Sequence, residues 1–130
     1  MSKAIHTFLM FQGNAEEAMD FYSETFQDVE IVEKHKHEIP EMGEALQAKM
    51  VIKGEEYMVF DSPIPHDFDF TPSISLYVHC QSEEEIDELY AKLSDRAQVL
   101  MPIGEYPFSS KFAWVQDRFG VSWQLDLGQE

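Results

Sequence analysis

The pattern of apolar and polar residues along the chain occurs twice. An apolar run at residues 8–11 precedes an acidic stretch, residues 15–22, whose apolar side chains recur at helical spacing. A second apolar run, residues 74–78, precedes a similar stretch at residues 83–90. Short segments that alternate apolar and polar residues follow each predicted helix, which is typical of β-strands. The repeat therefore predicts one domain that contains two copies of a strand–helix–strands module.

The predicted elements divide the chain into a first module at about residues 1–62 and a second at about residues 72–130. Asn14 is a good N-cap for the first helix, and Ser82 with Glu85 forms a capping box for the second, which extends to Leu93. Proline and glycine predict loops at residues 36–44 and 104–110. Strands are expected at residues 6–11, 29–35, 46–52, 56–60, 73–79, 98–101, 111–116 and 121–127.

Strand periodicity separates two faces of the predicted sheets. In the strand at residues 73–79, alternate apolar side chains are expected to pack under a helix, and Trp123 is expected in the same core. The opposite faces combine aromatic and polar groups, which favours a concave surface that binds a small molecule. A half-solvated sheet face or a dimer interface would also fit this pattern. The predicted surface consists of His6, Phe8, Met10, Tyr57, Ser73, Ser75, Tyr77, Ser122 and Gln124.

Composition narrows the classes of function. The 130 residues include 44% hydrophobic residues, which suffices for a globular core, and no apolar run approaches the ~20 residues that cross a bilayer. A formal net charge of −16 disfavours binding to nucleic acid or to anionic membranes. The N-terminus lacks the pattern of a secretory signal, and Cys80 is the single cysteine. We therefore expect a cytoplasmic protein.

Motifs that carry chemistry by themselves are lacking. No Gly-x-Ser-x-Gly or Gly-x-Gly pattern occurs in the sequence. His35 and His37 share a strand face but lie among lysines and glutamates, which indicates solvent-exposed side chains. His66 and His79 have no potential partner at a suitable spacing.

Two stretches carry a resemblance to a known family. Residues 8–22, FLMFQGNAEEAMDFY, and residues 117–124, DRFGVSWQ, resemble the PhnB-like branch of the vicinal oxygen chelate superfamily. That superfamily includes glyoxalase I, extradiol dioxygenases and bleomycin-resistance proteins, and the branch is often labelled 3-demethylubiquinone-9 3-methyltransferase domain. The resemblance implies an α+β fold in which two βαβββ modules form a U-shaped mixed sheet with the helices outside. It also implies a homodimer.

The resemblance also identifies where a metal would bind. Metal-dependent members hold a divalent ion with one histidine or glutamate from each of four strands, and these positions fall near His6, Val59, Ser73 and Gln124. Only His6 is a strong ligand for a transition metal. We therefore expect no metal and no cofactor. A site made of His6, Asp61 and Gln124 is the alternative, because Asp61 is predicted to share a face with Val59.

The favoured function is metal-independent binding of a small molecule whose identity the sequence does not reveal. A divalent-metal-dependent lyase, isomerase or dioxygenase is the alternative. Methyltransferase activity is not expected, because Gly13 stands alone before the first helix and forms no glycine-rich loop. No catalytic residue is assigned. The predicted ligand-binding residues are His6, Phe8, Tyr57, Ser73, Tyr77, Trp114 and Gln124.

Overall fold

The structure is a computed structural model that describes residues 5–128. It consists of two compact units, and the boundary between them in the chain lies between Asp67 and Phe68. Each unit contains a strand, a helix and three further strands, so the predicted α+β fold with two βαβββ modules is confirmed. The first unit contains β1 Thr7–Phe11, α1 Ala15–Thr25, β2 Val29–Ile39, β3 Gly43–Ile52 and β4 Glu55–Asp61. The second contains β5 Ser75–His79, α2 Glu83–Leu93, β6 Gln98–Tyr106, β7 Ser109–Gln116 and β8 Ser122–Asp126.

The two sheets have the same topology. Their strand orders are β1-β4-β3-β2 and β5-β8-β7-β6. In each unit the first strand pairs in parallel with the last strand, and the remaining neighbours are antiparallel. A parallel pair needs a long crossover connection, which the helix and the two intervening strands provide.

Each helix covers one face of its own sheet. In the first unit, Leu9, Phe11 and Val59 are buried together with Ala18, Met19 and Tyr22 of α1. In the second unit, Val78, Leu125 and Trp123 are buried with apolar side chains of α2. Trp123 is 1% exposed, which confirms its predicted position in the core. The other face of each sheet, which we call its open face, carries the residues of alternate parity.

The predicted cap of α2 is confirmed. The Ser82 Oγ accepts a hydrogen bond from the Glu85 backbone N–H at 3.1 Å. The Glu85 carboxylate accepts in turn from the Gln81 N–H at 2.7 Å. Asn14 occupies the N-cap position of α1, and the carboxylates of Glu16 and Glu17 lie in its positive first turn.

Both predicted loops are mostly strand, so that prediction is wrong. β2 continues to Ile39 and β3 begins at Gly43, so only residues 40–42 connect them. β6 likewise reaches Tyr106, two residues before β7 begins. The long antiparallel pairing satisfies backbone hydrogen bonds that a loop would leave to water. Polar side chains occupy both faces at residues 33–38, and this removed the apolar alternation on which the sequence prediction relied.

Two further positions differ from expectation. β5 begins at Ser75, so Ser73 lies in the turn before it, where the Ser73 and Thr71 hydroxyls are 2.9 Å apart. In the part of the chain that the structure describes, neither helix has the length and hydrophobicity needed to cross a membrane.

Candidate functional site

An apolar strip crosses the open face of the first sheet. Phe8 and Met10 on β1 are in register with Met58 and Phe60 on β4. The rings of Phe8 and Phe60 stack with centroids 6.1 Å apart and an interplanar angle of 26°. Phe8 is nevertheless 52% exposed, so water contacts a large part of this strip.

A hydrogen-bonded pair of ionisable side chains lies at the end of the strip. The His6 Nε2 and the Glu56 Oε1 are 2.6 Å apart, and the two side chains are 16% and 31% exposed. Glu56 shares the face of Met58 because the two are separated by two positions in β4. The pair can donate or accept hydrogen bonds, and it supplies an imidazole and a carboxylate to one side of the apolar strip.

The face predicted for Tyr57 was wrong. Tyr57 pairs with Thr7, and Val59 pairs with Leu9, so both lie on the face that α1 covers. Burial, followed by the nearby Glu55 carboxylate, raises the pKa of Tyr57. The sequence analysis placed Tyr57 with Phe8 because it fixed the registers of β1 and β4 separately, and a shift of one residue exchanges the faces.

The same parity removes Asp61 from any site with His6. Asp61 pairs with Phe11 on the helix-covered face, and its carboxylate accepts a hydrogen bond from the Gly13 N–H at 2.5 Å. The predicted combination of His6 and Asp61 is therefore wrong. Glu56 is the acidic residue beside His6, and the sequence analysis missed it. The alternation of Glu56, Met58 and Phe60 was the signal that could have identified it.

Charged residues occupy the far strands of the same open face. The Glu33 carboxylate lies 3.5 Å from the Lys49 ammonium and 3.2 Å from the His35 Nε2. The hydrogen bond to His35 and then the charge of Lys49 lower the pKa of Glu33. His35 and His37 are exposed, as predicted, with ring centroids 6.4 Å apart. Exposed pairs of this kind contribute little to stability.

A neutral polar network lies on the open face of the second sheet. The Ser75 and Ser122 hydroxyl oxygens are 2.6 Å apart, and the Trp114 indole N–H donates to the Ser122 Oγ at 2.8 Å. The Gln124 amide N–H donates to the Ser75 Oγ at 3.3 Å. β5, β7 and β8 therefore fix four polar side chains against one another.

A carboxylate on the same face is held by three donors. The Tyr77 hydroxyl donates to the Asp126 Oδ2 at 2.6 Å. The Asp126 Oδ1 accepts from the Ser109 hydroxyl and, at 2.8 Å, from the Gly128 N–H. Burial raises the pKa of Asp126, but the hydrogen bonds from Ser109, Tyr77 and Gly128 outweigh it, and the pKa lies below its usual value. Burial, the hydrogen bond to Asp126 and its charge together raise the pKa of Tyr77 to about 12.

The structure thus places most of the predicted ligand-binding residues on open faces. His6 and Phe8 lie on the first sheet. Tyr77, Trp114 and Gln124 lie on the second, where Ser122 connects Trp114 with the Ser75–Gln124 pair. Ser73 precedes the strand, and Tyr57 lies on the covered face of its sheet.

The donor set does not match a four-ligand transition-metal site. His6 and Glu56 are strong ligands, whereas Ser75, Ser122 and Gln124 supply neutral oxygens and an amide that bind one another. Among residues 5–128, no group of three or more histidine, cysteine, aspartate or glutamate side chains is arranged to hold an ion. The first unit nonetheless offers two strong ligands, one more than the sequence analysis counted.

Comparison with solved structures defines the class of fold. A glyoxylase/bleomycin resistance protein/dioxygenase domain from Frankia aligns with a TM-score of 0.73 and 17% identity, covering 100% of this chain and 94% of that one. The fosfomycin resistance protein FosX from Listeria monocytogenes, solved with Mn(II), aligns with a TM-score of 0.67 and 12% identity, covering 99% and 94%. At these identities the similarity concerns the fold alone, which is that of the vicinal oxygen chelate superfamily.

The family follows from closer similarity. The family model of 3-demethylubiquinone-9 3-methyltransferase matches residues 3–126, and the chain belongs to this family. A PhnB protein from Bacillus cereus is 46% identical, with a TM-score of 0.88 over 95% of this chain and 98% of that chain. Comparison with curated proteins gives no match.

Proposed function

We propose that the protein binds a small organic molecule on the open faces of its sheets and does not depend on a transition metal. The observation that carries the proposal is the apolar strip of the first sheet beside the pair formed by His6 and Glu56. Small-molecule sites combine an apolar lining with a few polar groups that orient the ligand. The half-exposed Phe8 supplies apolar surface that a ligand would remove from water.

The second sheet supports the same proposal with a different chemistry. Trp114 offers an aromatic surface, and Ser75 and Gln124 offer a hydroxyl and an amide. These groups are neutral, so they suit hydrogen bonds to an uncharged part of the ligand. No residue is proposed as catalytic.

The methyltransferase activity in the family name is not part of the proposal. Common S-adenosylmethionine enzymes use a glycine-rich loop after the first strand of a Rossmann-like sheet. Here Gly13, with a φ of +104°, forms a single tight turn between β1 and α1. The two repeated modules also differ from a Rossmann-like sheet.

A divalent-metal-dependent lyase or isomerase is the second candidate. One observation favours it: His6 and Glu56 are two metal-ligand types that already lie side by side. The neutral groups of the second unit weigh against it, because a transition metal prefers imidazole, thiolate or carboxylate in their place.

One experiment separates the two candidates. Native mass spectrometry of the gently purified protein, combined with elemental analysis, measures bound metal and also tests our proposal of a homodimer. We expect substoichiometric metal and a mass twice that of one chain. Stoichiometric Mn, Ni, Zn or Fe that is lost in His6→Ala would overturn the binding proposal in favour of the metal enzyme.

The role of His6 is tested by titrating naphthylmethanol, a neutral aromatic alcohol, in a calorimeter. We expect His6→Ala to bind it roughly tenfold more weakly, because one hydrogen-bonding anchor is removed. His35→Ala, which removes an exposed histidine of the same sheet, should leave the affinity unchanged. Equal affinity of the protein and both variants would contradict the assignment, and global unfolding of His6→Ala would show that this histidine is structural.

A further inference from the structure

We infer that the open face of the second sheet contains a cation-selective subsite formed by Asp126 and the aromatic rings around it. It would accept the ammonium or guanidinium group of an organic ligand. The inference rests on the proposed function and narrows the class of ligand that the protein binds.

The Asp126 carboxylate is fixed and has remaining capacity to accept hydrogen bonds. Oδ1 receives hydrogen bonds from Ser109 and Gly128, and among the described residues Oδ2 receives one from Tyr77. A carboxylate oxygen has two lone pairs, so Oδ2 can accept a further hydrogen bond from a ligand. The three donors keep the carboxylate oriented, and they favour its ionised form.

Aromatic rings form a wall next to this carboxylate. Phe112 on β7 is the register partner of Asp126 on β8, and the Tyr77 ring centroid is 6.4 Å from that of Phe112. Phe108 meets Phe112 edge-on at 4.9 Å and 82°, and Tyr106 stacks on Phe108 at 5.7 Å and 14°. Tyr77 and Phe108 are 46% and 54% exposed, so both rings are accessible.

This combination suits a cation better than a neutral or anionic group. The faces of aromatic rings carry negative partial charge and attract ammonium and guanidinium groups within about 6 Å of a ring centroid. A carboxylate beside the rings adds a full negative charge. The two attractions act on the same group of the ligand.

The basic groups near Asp126 leave its free lone pair available. Lys111, on the neighbouring strand, pairs with Asp87 at 2.8 Å and Glu83 at 3.3 Å on α2. His79 shares the face of Tyr77, with ring centroids 5.0 Å apart, and would compete with a cationic ligand only when protonated. Binding is therefore measured above neutral pH.

The test uses three probes with one aromatic body: naphthylmethyl-trimethylammonium, naphthylmethanol and naphthylacetate. We expect the intact protein to bind the cation about tenfold more tightly than the alcohol, and the anion most weakly. Asp126→Asn should remove this preference while the affinity for the alcohol stays the same. Because the net charge of −16 attracts every cation, Glu88→Gln is the control. It removes one equal charge from an exposed position on α2, and it should keep the preference.

The Tyr77 ring provides a second contrast that does not alter the carboxylate. Tyr77→Phe keeps the ring and should keep the preference, whereas Tyr77→Leu should weaken binding of the cation several-fold. These variants decide the question if Asp126→Asn unfolds, which circular dichroism will show. Equal affinity of the intact protein for cation and alcohol would overturn the cation subsite and leave the proposed function standing. Binding of none of the three probes would contradict both.

Discussion

At the scale of single residues, Asp117 connects a turn to the core. It is 4% exposed, and its Oδ1 accepts hydrogen bonds from the Phe119 N–H at 2.8 Å and the Val121 N–H at 3.0 Å. Its Oδ2 accepts from the indole N–H of Trp123 at 2.8 Å. Gly120, with a φ of +95°, completes the turn in a conformation that glycine adopts easily.

Asp117→Asn should destabilise the protein by roughly 1–3 kcal/mol. An asparagine amide has one acceptor oxygen, so its NH₂ group would face either the Trp123 N–H or the two backbone N–H groups. Urea unfolding followed by circular dichroism measures the change in free energy. Asp20→Asn, an exposed position of α1, is the matched control. An unchanged midpoint for Asp117→Asn would show that the carboxylate does not hold the turn.

Tyr77 should ionise unusually late. Its pKa is raised to about 12, mainly by burial and then by Asp126, against 10.0 for an ordinary tyrosine. Because the folded pKa is raised, the stability that neutral Tyr77 contributes is fully present below the unfolded pKa. It is lost as the pH rises through about 12.

Tyrosinate absorbance during an alkaline titration measures this pKa. The difference between the protein and Tyr77→Phe isolates the contribution of Tyr77, and its midpoint should lie near 12. In Asp126→Asn the midpoint should move towards lower pH, because the neighbouring negative charge is gone. A midpoint near 10.0 in the unaltered protein would show that Asp126 and burial do not act on this hydroxyl.

Predicting the candidate site from sequence succeeded only in part, for a reason that belongs to single residues. His6, Phe8, Tyr77, Trp114 and Gln124 lie on open faces as expected, because alternation within one strand is a local property. Glu56 and Tyr57 were exchanged, since their faces depend on how β4 aligns with β1. That alignment joins residues about 50 positions apart and carries no local signature.

At the scale of elements, the two helices were predictable because each carries an apolar stripe and begins with a recognisable cap. Ser82 supplies the cap hydrogen bond of α2, whereas α1 begins at Asn14. The long β2–β3 hairpin was not predictable from its pattern. It is held by cross-strand pairing between polar segments, and its faces are decided by partners such as Lys49 opposite Glu33.

Ser82→Ala should destabilise the protein by about 1 kcal/mol, because the Glu85 N–H loses the acceptor that caps the helix. Thermal or urea unfolding measures this. Ser94→Ala, at the other end of α2, is the control, because Ser94 acts in the C-cap through its backbone N–H, which bonds to the Tyr90 carbonyl. Equal effects of the two substitutions would indicate that the cap does not contribute.

At the scale of the whole molecule, the repeated pattern was the informative feature. Two apolar runs, each followed by an acidic helix and alternating segments, define two similar units, and the observed sheets have identical strand orders. The membership in the 3-demethylubiquinone-9 3-methyltransferase family agrees with this architecture. Family membership does not decide chemistry, since related folds support several functions.

The sequence by itself determined the order of elements, the capped helices and the buried position of Trp123, because periodicity and capping act between residues close in the chain. Only the tertiary structure decided which side chains meet: His6 with Glu56, and Tyr77 with Asp126 and Ser109. These contacts join residues from different strands. Strand register is set by the packing of each unit as a whole, and a shift of one residue would have assembled a different site from the same chain.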